Sequence, residues 1–164
     1  PILPGTALIL GGVLLHKLME EMVTGELLAD AAATRSRATV LAEELQALAG
    51  EEEAYPDPEE CAATALRARA LPDVAARWSS LQAEVPIYAM DHDGTLISGR
   101  ADAVALREGR IDVILDWKSD LAPSAAERSE YAAQVAAYMR VTGASRGALV
   151  YLSRDEVTWI DAAS

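Results

Sequence analysis

Apolar residues in this chain change period near residue 80. Before that point they recur at helical spacing: Leu8, Val13, Leu14, Leu18, Met22 and Val23 line one side of a helix that Gly25 interrupts. From about Glu26 to Leu48 the chain is rich in Ala, Leu and Glu and stops at Gly50, which suits a second helix closed by glycine. A third helix is expected from about Pro58 to Ala70, and a short fourth after Pro72. Beyond them, "VPIYAM", "TLISGRADAVAL" and "IDVILDWK" read as strands, separated by the turn sequences "DHDG" and "REGR". "SAAERSEYAAQVAAYMRVTG" predicts a helix from Ser124 to Gly143, and "GALVYLS" and "VTWID" two closing strands joined by "RDE". The order implies an α/β fold: a mixed sheet of three antiparallel strands, a crossover helix and two further strands, flanked by helices, with a helical N-terminal half.

A chain of 164 residues with 51% hydrophobic content can bury one real core, so residues 1–164 are expected to form a single domain. Residues 1–80 would be its helical part and 81–164 its sheet. Cys61 is alone, which excludes a disulfide framework and a thiolate zinc site, fits a reducing cytoplasm, and reads as a small core residue. The apolar run Ala7–Leu15 is too short to cross a bilayer and runs into His16, Lys17, Glu20 and Glu21. It is therefore expected to be a buried helix, with no membrane contact. "GEEEAYPDPEE" reads as a linker or exposed loop. A first residue of Pro is expected of a piece excised from a larger protein. The net charge of −12 argues against nucleic acid as a partner, since phosphate binding normally needs a basic surface. Carboxylates that hold a divalent ion, or a basic neighbouring domain, would lift that objection.

The stretch "ILDWKSD" places Asp116 and Lys118 on one face at the end of a buried strand. A hairpin centred on Gly109 would set Asp102 opposite Asp116 and Val104 opposite Ile114, with the two carboxylates about 5 Å apart. Opposed like charges repel unless a cation lies between them. A hard divalent ion, Mg²⁺ or Mn²⁺, suits oxygen ligands, and Lys118 beside it could organise an attacking water against a phosphate.

"GRADAV", then "DWK", then "YAAQVAAYM" resemble the motifs of the PD-(D/E)xK nuclease superfamily in its RecB-like branch, which forms the C-terminal domain of UvrD/Rep-like helicase-nucleases such as exonuclease V. "GGVLLHKLMEE" resembles that branch's N-terminal histidine helix, so the resemblance spans Gly5 to about Asp161. It implies a restriction-endonuclease-like core that hydrolyses DNA, at single-stranded or duplex ends, in recombination and repair. It also implies Mg²⁺ or Mn²⁺ as cofactor and a UvrD-like helicase as partner. By the same resemblance His16, Asp102, Asp116 and the Trp117 carbonyl would be metal ligands and Lys118 the catalytic lysine. Gln134 and Tyr138 match the QxxxY signature, and Glu84 matches a less regular acidic position.

Other readings compete. "DHDGT" fits the haloacid dehalogenase phosphatase signature, with Asp91 as nucleophile and Asp93 as acid/base, although four polar letters between strands also make a good turn. A nuclease-fold domain that binds DNA or a partner without cutting is a third reading. Taken alone, His16 would be an ordinary packed histidine, and Tyr131, Val135 and Tyr138 a core stripe. Trp78 and Trp159 read as core. Arg100, Arg128 and Arg140, with Lys118, are the cations placed to meet DNA.

Overall fold

The computed structural model describes residues 4–49 and 55–162. Four helices come first: α1 (Pro4–Thr24), α2 (Ala31–Ala49), α3 (Pro58–Ala70) and the single turn α4 (Pro72–Ala75). Strands β1 (Leu81–Met90), β2 (Leu96–Arg107) and β3 (Arg110–Lys118) follow, then α5 (Ala125–Thr142), β4 (Arg146–Tyr151) and β5 (Glu156–Asp161). The sheet runs β1-β2-β3-β4-β5, antiparallel except for β3 and β4, which are parallel and joined through α5. That is the mixed, helix-flanked sheet expected from the order of elements.

Local chemistry fixes most boundaries. The second helix starts later than expected, at Ala31, because Gly25 leaves α1 at φ 83 and Asp30 then caps α2 by accepting from Ala32 and Ala33 N–H. Part of the acidic loop also caps: Asp57 accepts from Glu59 and Glu60 N–H at the start of α3. Residues 50–54 of that loop lie outside the described residues. Ser124 and Glu127 form a reciprocal capping box on α5, and Gly143 closes it in the left-handed region at φ 75. Among the described residues, no helix is long and apolar enough to cross a membrane. The apolar run in α1 is half-buried rather than buried: Leu14, Leu15 and Leu18 are in the core, while Ile9 and Val13 are 67% and 49% exposed.

The sheet carries a core on each face. Leu14, Leu18 and Met19 of α1, with α2 and α3, pack on Ala103, Ala105, Val113, Leu115 and Trp117. On the other face, Val135, Tyr138 and Met139 of α5 pack on Val104, Ile114, Leu149 and Tyr151. Cys61 is buried among the helices, and Trp78 and Trp159 are partly buried against the first core.

Two irregularities aim the strands. The β2–β3 turn is a two-residue one with Glu108 at φ 53 and Gly109 at φ 74, so Arg107 pairs with Arg110, not symmetrically about Gly109 as expected. A bulge then restores the expected register: Leu106 pairs with Ile111, but Ala105 pairs with Val113, so β3 contains Asp112 as an extra residue. From there Val104 meets Ile114 and Ala103 meets Leu115. Without the bulge every later residue of β3 would point to the opposite face.

The second irregularity turns β1 and β2 over. Gly99 lies against Tyr138 and Ala101 belongs to the α5-side core, yet Ala103 and Ala105 belong to the α1-side core. In β1, Leu81 is on the α1 side and Ile87 on the α5 side. The change falls at Glu84, at φ 53, and at Asp102 opposite it, which the pairing skips between Ala83↔Ala103 and Val85↔Ala101.

Candidate active site

The β2–β3 ladder ends at Ala103↔Leu115. Past that pair β2 continues with β1 alone, down to Met90↔Leu96, and β3 continues with β4, as far as Lys118↔Tyr151. Asp102 and Asp116 are the first residues beyond the last shared pair, so both carboxylates stand in the fork where the strands diverge. The Asp102 carboxylate reaches across the fork and accepts from Trp117 N–H at 2.7 Å.

Helix α1 delivers His16 to the same fork. Its Nε2 lies 2.7 Å from the Trp117 carbonyl oxygen and 3.7 Å from Asp102 Oδ2, while Nδ1 lies 2.9 Å from the Gly12 carbonyl oxygen. A neutral imidazole donates from one nitrogen only. When Nδ1 donates to Gly12, the Nε2 lone pair and the Trp117 oxygen face each other unless a cation lies between them. Backbone bonding at Nδ1 is the arrangement that holds a metal-ligating histidine in orientation. Close approach of α1 depends on Gly12, where an added Cβ would fall 2.6 Å from Ser119 Oγ.

Electrostatics mark the fork as unsatisfied. The Asp102 carboxyl is pushed up to about 7, first by burial and then by the charge of Asp116, against which His16 and the Trp117 N–H pull it down. One oxygen of Asp116 is buried without an aligned hydrogen bond, its compensation being the Lys118 ammonium 2.8 Å away. Lys118 and Asp116 side chains are each only 16% exposed. The lysine is enclosed further by the Tyr131 ring of α5, whose centroid lies 4.1 Å from Nζ. Two acids, an imidazole nitrogen and a carbonyl oxygen form a donor set suited to a hard divalent ion. Among the described residues, no three His, Cys, Asp or Glu side chains close around an ion as they stand.

The structure thus brings together His16, Asp102, Asp116, the Trp117 carbonyl and Lys118. It leaves Glu84 aside: its carboxylate is 3.1 Å from Arg100 Nη1, and no described contact joins it to either aspartate. Gln134 donates to the Tyr138 hydroxyl at 3.3 Å, and Tyr138 packs on Gly99, three residues from Asp102. Gly99 was not singled out by sequence reasoning, although a glycine inside a strand signals close approach; a Cβ there would fall 2.0 Å from the Tyr138 hydroxyl oxygen. Asp120 and Tyr151, also unforeseen, adjoin Lys118: Asp120 accepts from the Tyr131 hydroxyl, and Tyr151 pairs with Lys118 across the parallel ladder.

The "DHDG" segment is the β1–β2 hairpin turn. Asp91 O accepts from Gly94 N–H, and Asp93 accepts from Thr95 N–H. Asp91 is pulled down to about 2, first by Arg140 on α5, whose Nε donates to it at 2.9 Å, and then by the His92 backbone. Both acids serve the turn, and the phosphatase reading has no site here. Among the described residues, every Lys and Arg but Arg69 and Arg110 lies within 4.0 Å of a described carboxylate. Arg100, Arg128 and Arg140 are among those paired.

A family model described as the PD-(D/E)XK nuclease superfamily matches residues 7–159, a span that holds every residue of the fork. No curated protein matches the sequence. Among solved structures, one titled "Crystal structure of SSO0001" is 19% identical and covers 93% of this chain and 76% of its own. Its TM-score is 0.42.

Proposed function

Since the chain belongs to the PD-(D/E)XK nuclease superfamily, whose nucleases typically use divalent metals, we propose that it hydrolyses DNA phosphodiester bonds at the fork between β2 and β3. The observation that carries the proposal is the pair of half-buried, mutually repelling aspartates with Asp102 pushed up to about 7. A merely structural strand pair gains nothing from that arrangement. His16, Asp102, Asp116 and the Trp117 carbonyl would hold Mg²⁺ or Mn²⁺. When bound, the ion neutralises phosphate charge and makes water a competent nucleophile near neutral pH.

The chain's own groups do the rest. His16 is held in orientation from Gly12, and Asp102 from the Trp117 N–H, so both donors are fixed before the substrate arrives. Lys118, beside the fork, would direct its ammonium at the attacking water and a non-bridging phosphate oxygen, placing charge where it develops in the transition state. Trp117, 2% exposed, anchors this end of β3 in the α1-side core.

Cleavage from strand ends, as the nuclease module of a helicase-nuclease acting in recombination and repair, is the form favoured by the order of motifs from His16 through Gln134 and Tyr138. The paired cations fit it, because a domain with so little free positive charge gains from a neighbour that feeds it DNA. The test is cleavage of end-labelled single-stranded, duplex and circular DNA with Mg²⁺ or Mn²⁺, beside a phosphomonoester assay. End-directed cleavage that vanishes on circles supports the proposal, and absence of cleavage on every substrate sinks it.

A further inference from the structure

Lys118 ends β3 with two partners that compete for one ammonium: the Asp116 carboxylate at 2.8 Å and the face of the Tyr131 ring at 4.1 Å. Only the first would also be an ion ligand. An ion drawing on the Asp116 carboxylate would weaken its hold on Lys118, and a four-carbon stem held by that contact alone would scatter over its rotamers. The ring face stays. We infer that Tyr131 is a positioning residue for Lys118, holding its ammonium over the ring through the reaction. The inference rests on the nuclease reading and deepens it.

Three features fit Tyr131 for this task. It sits in the first turns of α5, which the Ser124 capping box and Gly143 fix at both ends, and α5 packs on β3 and β4. Its hydroxyl donates to Asp120 Oδ2 at 3.1 Å, so the ring is tethered to the segment that directly follows Lys118. An electron-rich phenol that donates to a carboxylate also presents a more negative face to a cation. Tyr151, fully buried, pairs with Lys118 across the ladder, and Arg128 lies 4.7 Å over the Tyr151 ring. Nothing in this arrangement draws on Tyr138, which meets Gly99 of β2, or on Gln134, which donates to the Tyr138 hydroxyl.

The test compares Tyr131→Leu, Tyr131→Phe and wild type, each also in a Lys118→Met background, by steady-state cleavage of a single-stranded oligonucleotide with Mn²⁺. Tyr131→Leu is expected to lower kcat roughly 5- to 30-fold with KM within about twofold, the range of a partly desolvated cation–π contact. Tyr131→Phe, which keeps the ring, should recover to within about threefold of wild type. On the Lys118→Met background, Tyr131→Leu should cost nothing more, since Tyr131 acts through Lys118. An ion-free readout accompanies these: the Lys118 Cε protons should resonate upfield from the ring current in wild type and Tyr131→Phe, and lose that shift in Tyr131→Leu. An inactive wild type overturns the nuclease reading and this inference with it. An active wild type whose kcat is unchanged in Tyr131→Leu, or falls equally with and without Lys118, overturns the Tyr131 assignment alone. Absence of the upfield shift in wild type does so as well.

Discussion

Replacing Asp102 with Asn should stabilise the ion-free protein while destroying its function, and the size of the effect can be worked from the site. Asn is isosteric and keeps an acceptor for the Trp117 N–H now bonded at 2.7 Å. What it removes is a charge whose carboxyl is pushed from 3.8 to about 7 by burial and by Asp116. Because the folded value lies above the unfolded one, Asp102 binds its proton more tightly when folded. Its contribution is therefore fully present below about pH 4 and lost as pH rises through about 7. About three pKa units correspond to an upper limit near 4 kcal/mol. The 20% exposure of the side chain reduces this, leaving about 1–3 kcal/mol. Urea unfolding in EDTA should find the variant about 1–3 kcal/mol more stable than wild type at pH 8 and equal to it near pH 4, with the gap opening between. Saturating Mn²⁺ should reverse the order, since ligation adds about 2.7 kcal/mol to wild type at one hundred times its Kd. A wild type whose stability is flat from pH 4 to 7, or a variant no more stable at pH 8, would refute the account of an unsatisfied acid pair.

Further expectations follow from the same geometry. Asp116→Ala should abolish metal-dependent cleavage, at least about 10³-fold, with the fold retained by circular dichroism. Lys118→Met should bind Mn²⁺ within a few-fold of wild type by calorimetry and lower kcat about 10²-fold or more, because the lysine serves water and phosphate rather than the ion. Gly99→Ala should displace Tyr138, whose hydroxyl oxygen lies 2.0 Å from the added Cβ, and cost about 1–3 kcal/mol in urea unfolding; Gly99→Ala with Tyr138→Phe should recover part of it. DNA affinity in Ca²⁺ should be weak and fall only shallowly with salt, since nearly every cation already faces a carboxylate; steep salt dependence would show that the ion pairs open onto phosphate.

Much of the architecture was legible in the residues because it depends on local physics. The change of period near residue 80, the helix start at Ser124 and the closing Gly143 follow from nearest-neighbour geometry, and all appear as expected. The motifs were legible for a similar reason: "DWK" puts an acid and a lysine on one strand face whatever surrounds them. The expected facing of Asp102 and Asp116 shows where this stops. A symmetric turn about Gly109 predicts it, but the turn is not symmetric, a bulge at Asp112 restores the register only as far as Ala103↔Leu115, and the strands part before the two acids would pair. Nothing in "REGRIDV" announces a bulge, since extra residues are accommodated by the whole ladder rather than by the residue that bulges.

The sequence by itself determined the order and type of the elements, the acids and the lysine. Tertiary structure alone decided the rest. It set the fork at Ala103↔Leu115, the turnover of β1 and β2 at Glu84 and Asp102, and the approach of α1 that brings His16 to the Trp117 carbonyl. It decided that Glu84 answers Arg100, that Asp91 answers Arg140, and that Tyr131 lies under the Lys118 ammonium. Each of these joins residues far apart in the chain, through contacts whose partners are chosen by packing and charge after the sheet has formed. Periodicity and propensity act over one or two turns, so they carry no information about which distant side chain will fill the space.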